Sequence, residues 1–234
     1  MENVVNVDEA HNAQLKDKIH LRGLVLMFKR LAFHEREERM ENDVRVLTAL
    51  ELPPNLQRLK ITGHEGNTIY PNLPTLGQLP FLEVLNIGGL DNVKKVGDEF
   101  LGIEDSKNKK DYRIIFPNLK SLQFVYLRNW EEWIGMGGIG EEEEENDNGI
   151  VTIPIIIKIM PRLQSLKIFY CYNLKLLPDY LCTAPLLKEL EIFGSLLLEE
   201  SYKTGTGENW PRISHIPNII LGWVYVQIDG EPQN

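Results

Sequence analysis

The residues able to do chemistry stand apart from one another along this chain. Histidines occur at His11, His20, His34, His64 and His215. No two share the short spacing that puts a pair of imidazoles on one helix face, and none lies beside a cysteine at metal-ligand spacing. Cys171 and Cys182 are the only cysteines, too few for a disulfide framework or a four-thiolate zinc site. Glu131 and Glu132 form the one adjacent carboxylate pair set between aromatic residues, Trp130 and Trp133. That arrangement reads as two packed rings with a solvated edge between them, not as an acid and a base. No glycine-rich phosphate loop, dinucleotide fingerprint or nucleophile elbow occurs. The expectation is a chain with no catalytic residue, no metal and no cofactor.

Charge narrows the binding partners. The net charge is −9 over 234 residues, and most of it comes from one run, Glu141–Glu145 with Asp147. The rest of the chain is near neutral, which argues against nucleic acid, whose phosphates need a basic stripe. The most apolar stretch, Ile150–Met160, is broken by Thr152, Pro154 and Lys158 and is too short to span a bilayer. The first residues lack a basic and then apolar leader, and no Asn-x-Ser/Thr site is present. These absences set the expectation of a reducing, cytoplasmic setting.

The elements that would position any functional group are repeats. An apolar residue, two variable, one apolar, one variable and one apolar recur at Leu21/Leu24/Leu26, Leu56/Leu59/Ile61, Leu82/Leu85/Ile87, Leu119/Leu122/Phe124, Leu163/Leu166/Ile168 and Leu187/Leu190/Ile192. The spacings Leu56 to Leu82 and Leu163 to Leu187 fall within a leucine-rich-repeat unit of roughly 20–29 residues. The longer spacings carry insertions. The last two apolar positions have the period of a strand with one buried face. One such strand cannot bury that face alone, so parallel stacking is required. Proline recurs just before five of the strands, at Pro54, Pro80, Pro117, Pro161 and Pro185, where it ends the preceding element and sets the turn.

The fold class expected is α/β: a leucine-rich-repeat solenoid, or horseshoe, with a parallel concave β-sheet and a mostly irregular or short-helical convex side. One domain spans 1–234. It has a lead-in over 1–20 with a short helix within Val7–Lys18, and repeats over 21–200. Loop insertions fall near 104–113 and 135–149, and a C-terminal cap covers 201–234. The acidic 135–149 interval reads as solvated, mobile chain, because like charges repel. Pro178–Cys182 reads as one helical turn with the proline at its first position. Cys171 occupies the slot just after a strand that Leu90 and Leu127 fill in other units, so it is read as a packing residue. The stretch from Trp210 to Ile219 reads as a break in the repeats, followed by a last strand over Trp223–Ile228.

Function then falls to the outward positions of the strands. Arg58, Lys60, Val84, Asn86, Ser121, Gln123, Val125, Ser165, Lys167, Phe169, Glu189, Glu191 and Phe193 would share one concave sheet, basic at one end and acidic at the other. Phe169 and Phe193 would be neighbouring exposed aromatics, which suits a protein-binding hot spot. The candidate binding residues are Arg58, Lys60, Asn86, Gln123, Val125, Lys167, Phe169, Glu191 and Phe193.

Several runs also resemble a known family. Gln14–Leu26, Leu52–Ile61, Leu76–Ile87 continuing to Gly97, Phe116–Leu122, Trp130–Trp133, Met160–Leu163 and Trp210–Ile219 are similar to the repeat region of plant coiled-coil nucleotide-binding leucine-rich-repeat disease-resistance proteins. The resemblance covers nearly the whole chain. It implies recognition of a pathogen effector or a guarded host protein, or contact with a nucleotide-binding (NB-ARC) domain. No run in these 234 residues resembles that nucleotide-binding domain, so the family's ATPase and switch functions are not expected to carry over to them. Tyr70–Asn72 runs almost directly into Leu73–Gly77, where one repeat of the family pattern is expected to be deleted.

Overall fold

The computed structural model describes residues 7–28, 50–63, 73–103, 112–135, 138–146 and 149–233. His34, His64, the shortened repeat at Tyr70–Asn72 and most of the 104–113 insertion lie outside them. In chain order the strands are β1 (Gly23–Met27), β2 (Arg58–Thr62), β3 (Val84–Gly88), β4 (Lys95–Val96), β5 (Tyr112–Ile115), β6 (Ser121–Val125) and β7 (Glu132–Trp133). They continue as β8 (Gly138–Asn146), β9 (Gly149–Ile159), β10 (Ser165–Phe169), β11 (Glu189–Phe193), β12 (Asn218–Leu221), β13 (Val224–Ile228) and β14 (Glu231–Pro232).

The apolar pattern becomes two continuous rungs. The main sheet has the order β1-β2-β3-β6-β10-β11-β12-β13-β14 among the described residues, and it is parallel from β1 to β12. Leu24, Leu59, Leu85, Leu122, Leu166, Leu190 and Ile219 lie in register, as do Leu26, Ile61, Ile87, Phe124, Ile168, Ile192 and Leu221. All of these are buried except half-buried Leu26 in the first strand. The sheet is thus the inner wall of a leucine-rich-repeat solenoid.

The recurrent prolines have one geometric cause. Each occupies the second position of a four-residue turn closed by the following leucine's N–H: Leu56 to the Pro53 oxygen, Leu82 to Leu79, Leu119 to Phe116, Leu163 to Met160 and Leu187 to Ala184. Proline's fixed φ suits that position. Side chains tie neighbouring turns together. The Asn55 amide donates to the Ile19 carbonyl at 2.9 Å and the Asn118 amide to the Pro80 carbonyl at 2.7 Å.

The convex side is built from short pieces. Helical turns lie at Asp98–Leu101 and Asp179–Cys182, and a longer one at Leu196–Ser201. At Pro178–Cys182 the proline sits just before the turn instead of inside it. The expected lead-in helix is divided into Val7–Asn12 and a single 3₁₀ turn, Leu15–Asp17. Trp130 and Trp133 pack with Phe124 at centroid distances of 4.8 and 5.2 Å. Glu131 and Glu132 between them are exposed, and Glu132 pairs with Lys95 at 2.8 Å.

Two parts depart from the sequence reading. The acidic interval is not irregular: β8 and β9 form an antiparallel hairpin, with β5 parallel to β9. Glu141–Glu145 pair through the backbone with Ile150–Pro154. The β-branched residues of that second arm favour a strand, and the charge of the first arm carries no information on that pairing. The second departure is a seventh parallel strand. Ile216/Ile219/Leu221 repeats the apolar template, and β12 continues the rungs beside β11. Only β13 and β14 run antiparallel and close the end. A non-proline turn, Ile213 to Ile216, had hidden this repeat.

Leu166 is fully buried in the middle of the sheet. Leu166→Ala is expected to cost about 3 kcal/mol in urea unfolding, and Lys167→Ala beside it under about 1 kcal/mol.

Candidate functional site

Strand alternation turns one side chain in two away from the core, and parallel register lines these up in rows. One row is Arg58, Val84, Ser121, Ser165, Glu189 and Asn218. The next is Val25, Lys60, Asn86, Gln123, Lys167, Glu191 and Ile220. The third is Met27, Thr62, Gly88, Val125, Phe169 and Phe193. The structure therefore brings all nine candidate residues onto one surface. None of them is buried, whereas their inward neighbours Leu59, Leu85, Leu122, Leu166 and Leu190 are.

The charge pattern is more local than a gradient. Lys167 and Glu191 sit opposite each other and pair at 2.5 Å, half-buried. Arg58 and Lys60 are exposed and have no ion pair among the described residues. Beside Lys60 the sheet has a recess of about 380 Å³, lined by Lys60, Thr62, Asn86, Gly88, Gln123, Val125 and Tyr126. Gly88 creates it: the third row lacks a side chain between Thr62 and Val125. A Cβ at Gly88 would lie 3.0 Å from the Val125 carbonyl oxygen.

A row just beyond the strands was missed in the sequence. The residue after a strand takes a left-handed conformation at Gly89, Tyr126, Tyr170, Gly194 and Gly222. The N–H of Gly89, Tyr126 and Tyr170 each donates to the end of the next strand, at 2.9, 2.9 and 2.8 Å. Glycine is the inexpensive residue for that backbone, yet two repeats use tyrosine, and such strain gathers where side chains have work to do. The two rings stack, 4.6 Å apart and 5° from parallel. Phe193 meets Tyr170 edge-on at 5.0 Å and Trp223 at 4.0 Å. Phe169 stands 6.4 Å from Phe193. The Arg128 guanidinium lies over the Tyr126 ring, 5.7 Å from its centroid. Burial under neighbouring rings pushes the Tyr170 phenol up, with Tyr126 adding to it. Trp223 is 85% exposed. The result is an aromatic shelf along one margin of the sheet. The signal for it was available: the position after each paired strand is Gly, Tyr, Tyr and Gly, at residues 89, 126, 170 and 194.

The cysteines belong to the core. Cys171 is fully buried two residues past its strand, in the slot of Leu90, Leu127 and Ser195. Its N–H donates to Ser195 Oγ at 3.0 Å, and its Sγ lies 3.5 Å from the Phe169 carbonyl oxygen. Burial pushes its thiol up to about 12. Among the described residues no group of three or more His, Cys, Asp or Glu could hold a metal ion, and no helix is long and apolar enough to cross a membrane.

With this geometry in view, comparison with known proteins bears on the family resemblance. Residues 1–96 match the family model described as R13L1/DRL21 LRRs. The disease resistance RPP13-like protein 1 of Arabidopsis thaliana is 25% identical over 161 residues, 57% of this chain and 15% of that protein. The Arabidopsis thaliana disease resistance protein At3g14460 is 29% identical over 170 residues, 57% of this chain and 11% of that protein. The disease resistance protein RF45, also of Arabidopsis thaliana, is 30% identical over 147 residues, 63% of this chain and 11% of that protein. This chain fits the repeat region of a plant disease-resistance protein. It spans about a tenth to a seventh of the length of the relatives it matches.

Two measurements check this geometry. The native Cys171 thiol should stay protonated and unlabelled by Ellman's reagent at pH 8, and react only on unfolding. Because its native pKa lies above the ordinary 9.0, the unfolded chain ionises first. The stability it contributes is present below pH 9 and lost as pH climbs from about 9 towards 12. Gly194→Ala combines a φ of +63° with a Cβ 2.6 Å from the Tyr170 ring. It should cost about 1–2 kcal/mol in urea unfolding and disturb the tyrosine stack.

Proposed function

We propose that this chain is a protein-recognition module of plant defence, holding a pathogen effector or a guarded host protein on the concave sheet in the cytoplasm, without catalysis of its own. One observation carries the reading: a contiguous aromatic shelf, half-buried at Tyr126, Phe169, Tyr170 and Phe193 and exposed at Trp223, runs along one margin of the outward candidate face. Aromatic side chains that are partly solvated in the free protein and fixed by one another lose little entropy on binding and bury further area, which is how hot spots gain affinity. The rows are rigid, because each strand that carries a candidate residue is held on both sides, so the surface is preorganised. The likeness to disease-resistance repeats supplies the setting.

The test is affinity capture from pathogen-infected leaf extract with the intact chain and with a Phe169→Ala, Phe193→Ala double variant. Both rings are half-buried at the surface, so the variant should keep a cooperative unfolding transition. Loss of captured protein, by about tenfold or more for two hot-spot residues, supports the reading. Equal capture by the folded variant contradicts it. If the protein captured is a nucleotide-binding resistance protein and no pathogen or guarded protein is retained, a scaffold acting in trans on that partner replaces the recognition reading.

A further inference from the structure

The recess over Gly88 and the aromatic shelf lie on the same face of the sheet, a fixed distance apart, and their chemistries differ. The recess is mostly apolar surface, and Lys60, Thr62, Asn86 and Gln123 are the polar residues with long or hydroxyl side chains that line it. Lys60 has no ion pair among the described residues, whereas Lys167, further along the row, is already held by Glu191. A carboxylate seated there gains a charge-assisted hydrogen bond and costs the protein no existing ion pair. At the other end Tyr170, Phe193 and Trp223 present ring faces and edges with no unsatisfied charge.

From this we infer that the sheet recognises a short extended peptide segment carrying an acidic side chain and, further along, an aromatic or large aliphatic one. The acid enters the recess beside Lys60, and the apolar group lies on the Tyr170–Phe193–Trp223 shelf. This rests on the concave-face reading above and adds the partner's chemistry to it. The spacing follows from the topology. From β3, which carries Gly88, to β11, which carries Phe193, the chain order β3-β6-β10-β11 gives three steps between strands. At about 4.8 Å per step that is roughly 14 Å, or about four residues of extended peptide at ~3.3 Å each. Gly88 leaves space for the acid, and Tyr126 forms the wall between the two sites.

The test uses the full chain against an array of capped ten-residue peptides on a Gly/Ser background. Each bears one Asp and one Phe, separated by one to eight positions. Capture should peak near a separation of four. Asp→Asn in the peptide, or Lys60→Met in the protein, should each weaken capture of the best peptide about tenfold, the size of a charge-assisted contact. The two changes together should weaken it no further, because they remove the same interaction. Lys60→Glu should instead favour the peptide with Lys in place of Asp. Capture that is flat in spacing, losses that add, or no capture of any peptide overturns the inference. Should the Asp make no difference while Trp223→Ala still releases Phe peptides, the two-point inference fails and the concave-face reading stands. Should neither substitution alter capture, both fail.

Discussion

Burial of a strand's one apolar face against its neighbours is the constraint on which everything else rests. Each repeat strand contributes two inward side chains and cannot shield them unaided, so its stability comes from the interface it shares with the next. The in-register rungs from Leu24 to Ile219 and from Leu26 to Leu221 are that interface. The same register that aligns the inward leucines also aligns the outward residues into rows. A functional surface is thus a by-product of core formation: what selection can vary freely is the outward set, since any inward change is felt in the packing.

The backbone extends this logic past the strands. Beyond β3, β6, β10 and β11 the chain turns through a left-handed residue, and at the first three of these its N–H continues the ladder to the next repeat. Where that residue is glycine, as at Gly89 and Gly194, the turn is unstrained. Where it is Tyr126 or Tyr170, backbone strain is offset by ring stacking, and the rings stand at the margin of the sheet. Gly194 makes the arrangement sterically feasible, since a side chain there would meet the Tyr170 ring. Trp223, from the closing hairpin, extends the shelf over Phe193. The end of the solenoid therefore both seals the core and enlarges the exposed aromatic surface.

Much of this was legible in the residues. The apolar template located six of the seven parallel repeat strands, the prolines located their turns, and alternation placed Arg58, Lys60, Asn86, Gln123, Val125, Lys167, Phe169, Glu191 and Phe193 on one side. The seventh strand escaped because Ile213–Ile216 closes its turn without proline. The hairpin at β8 and β9 escaped because pairing depends on both arms, and the acidic arm alone looks unpaired. The aromatic shelf escaped for a different reason: period-two alternation stops at the strand end, so it carries no information on where Tyr126 and Tyr170 point. Their direction is set by a left-handed turn and by Gly194 in the next repeat. The recess over Gly88 likewise exists only in the register of three strands, which no single repeat reveals.

Hydroxyl-radical footprinting of the chain with and without a captured protein partner addresses the location of binding directly. Trp223, Tyr126, Tyr170 and Phe193 on the shelf should lose reactivity on complex formation, while Phe81, Tyr172 and Leu176, exposed outside the outward rows and the shelf, keep theirs. Protection of Phe81, Tyr172 and Leu176 with an unchanged Trp223 and Tyr170 would contradict recognition through the concave sheet.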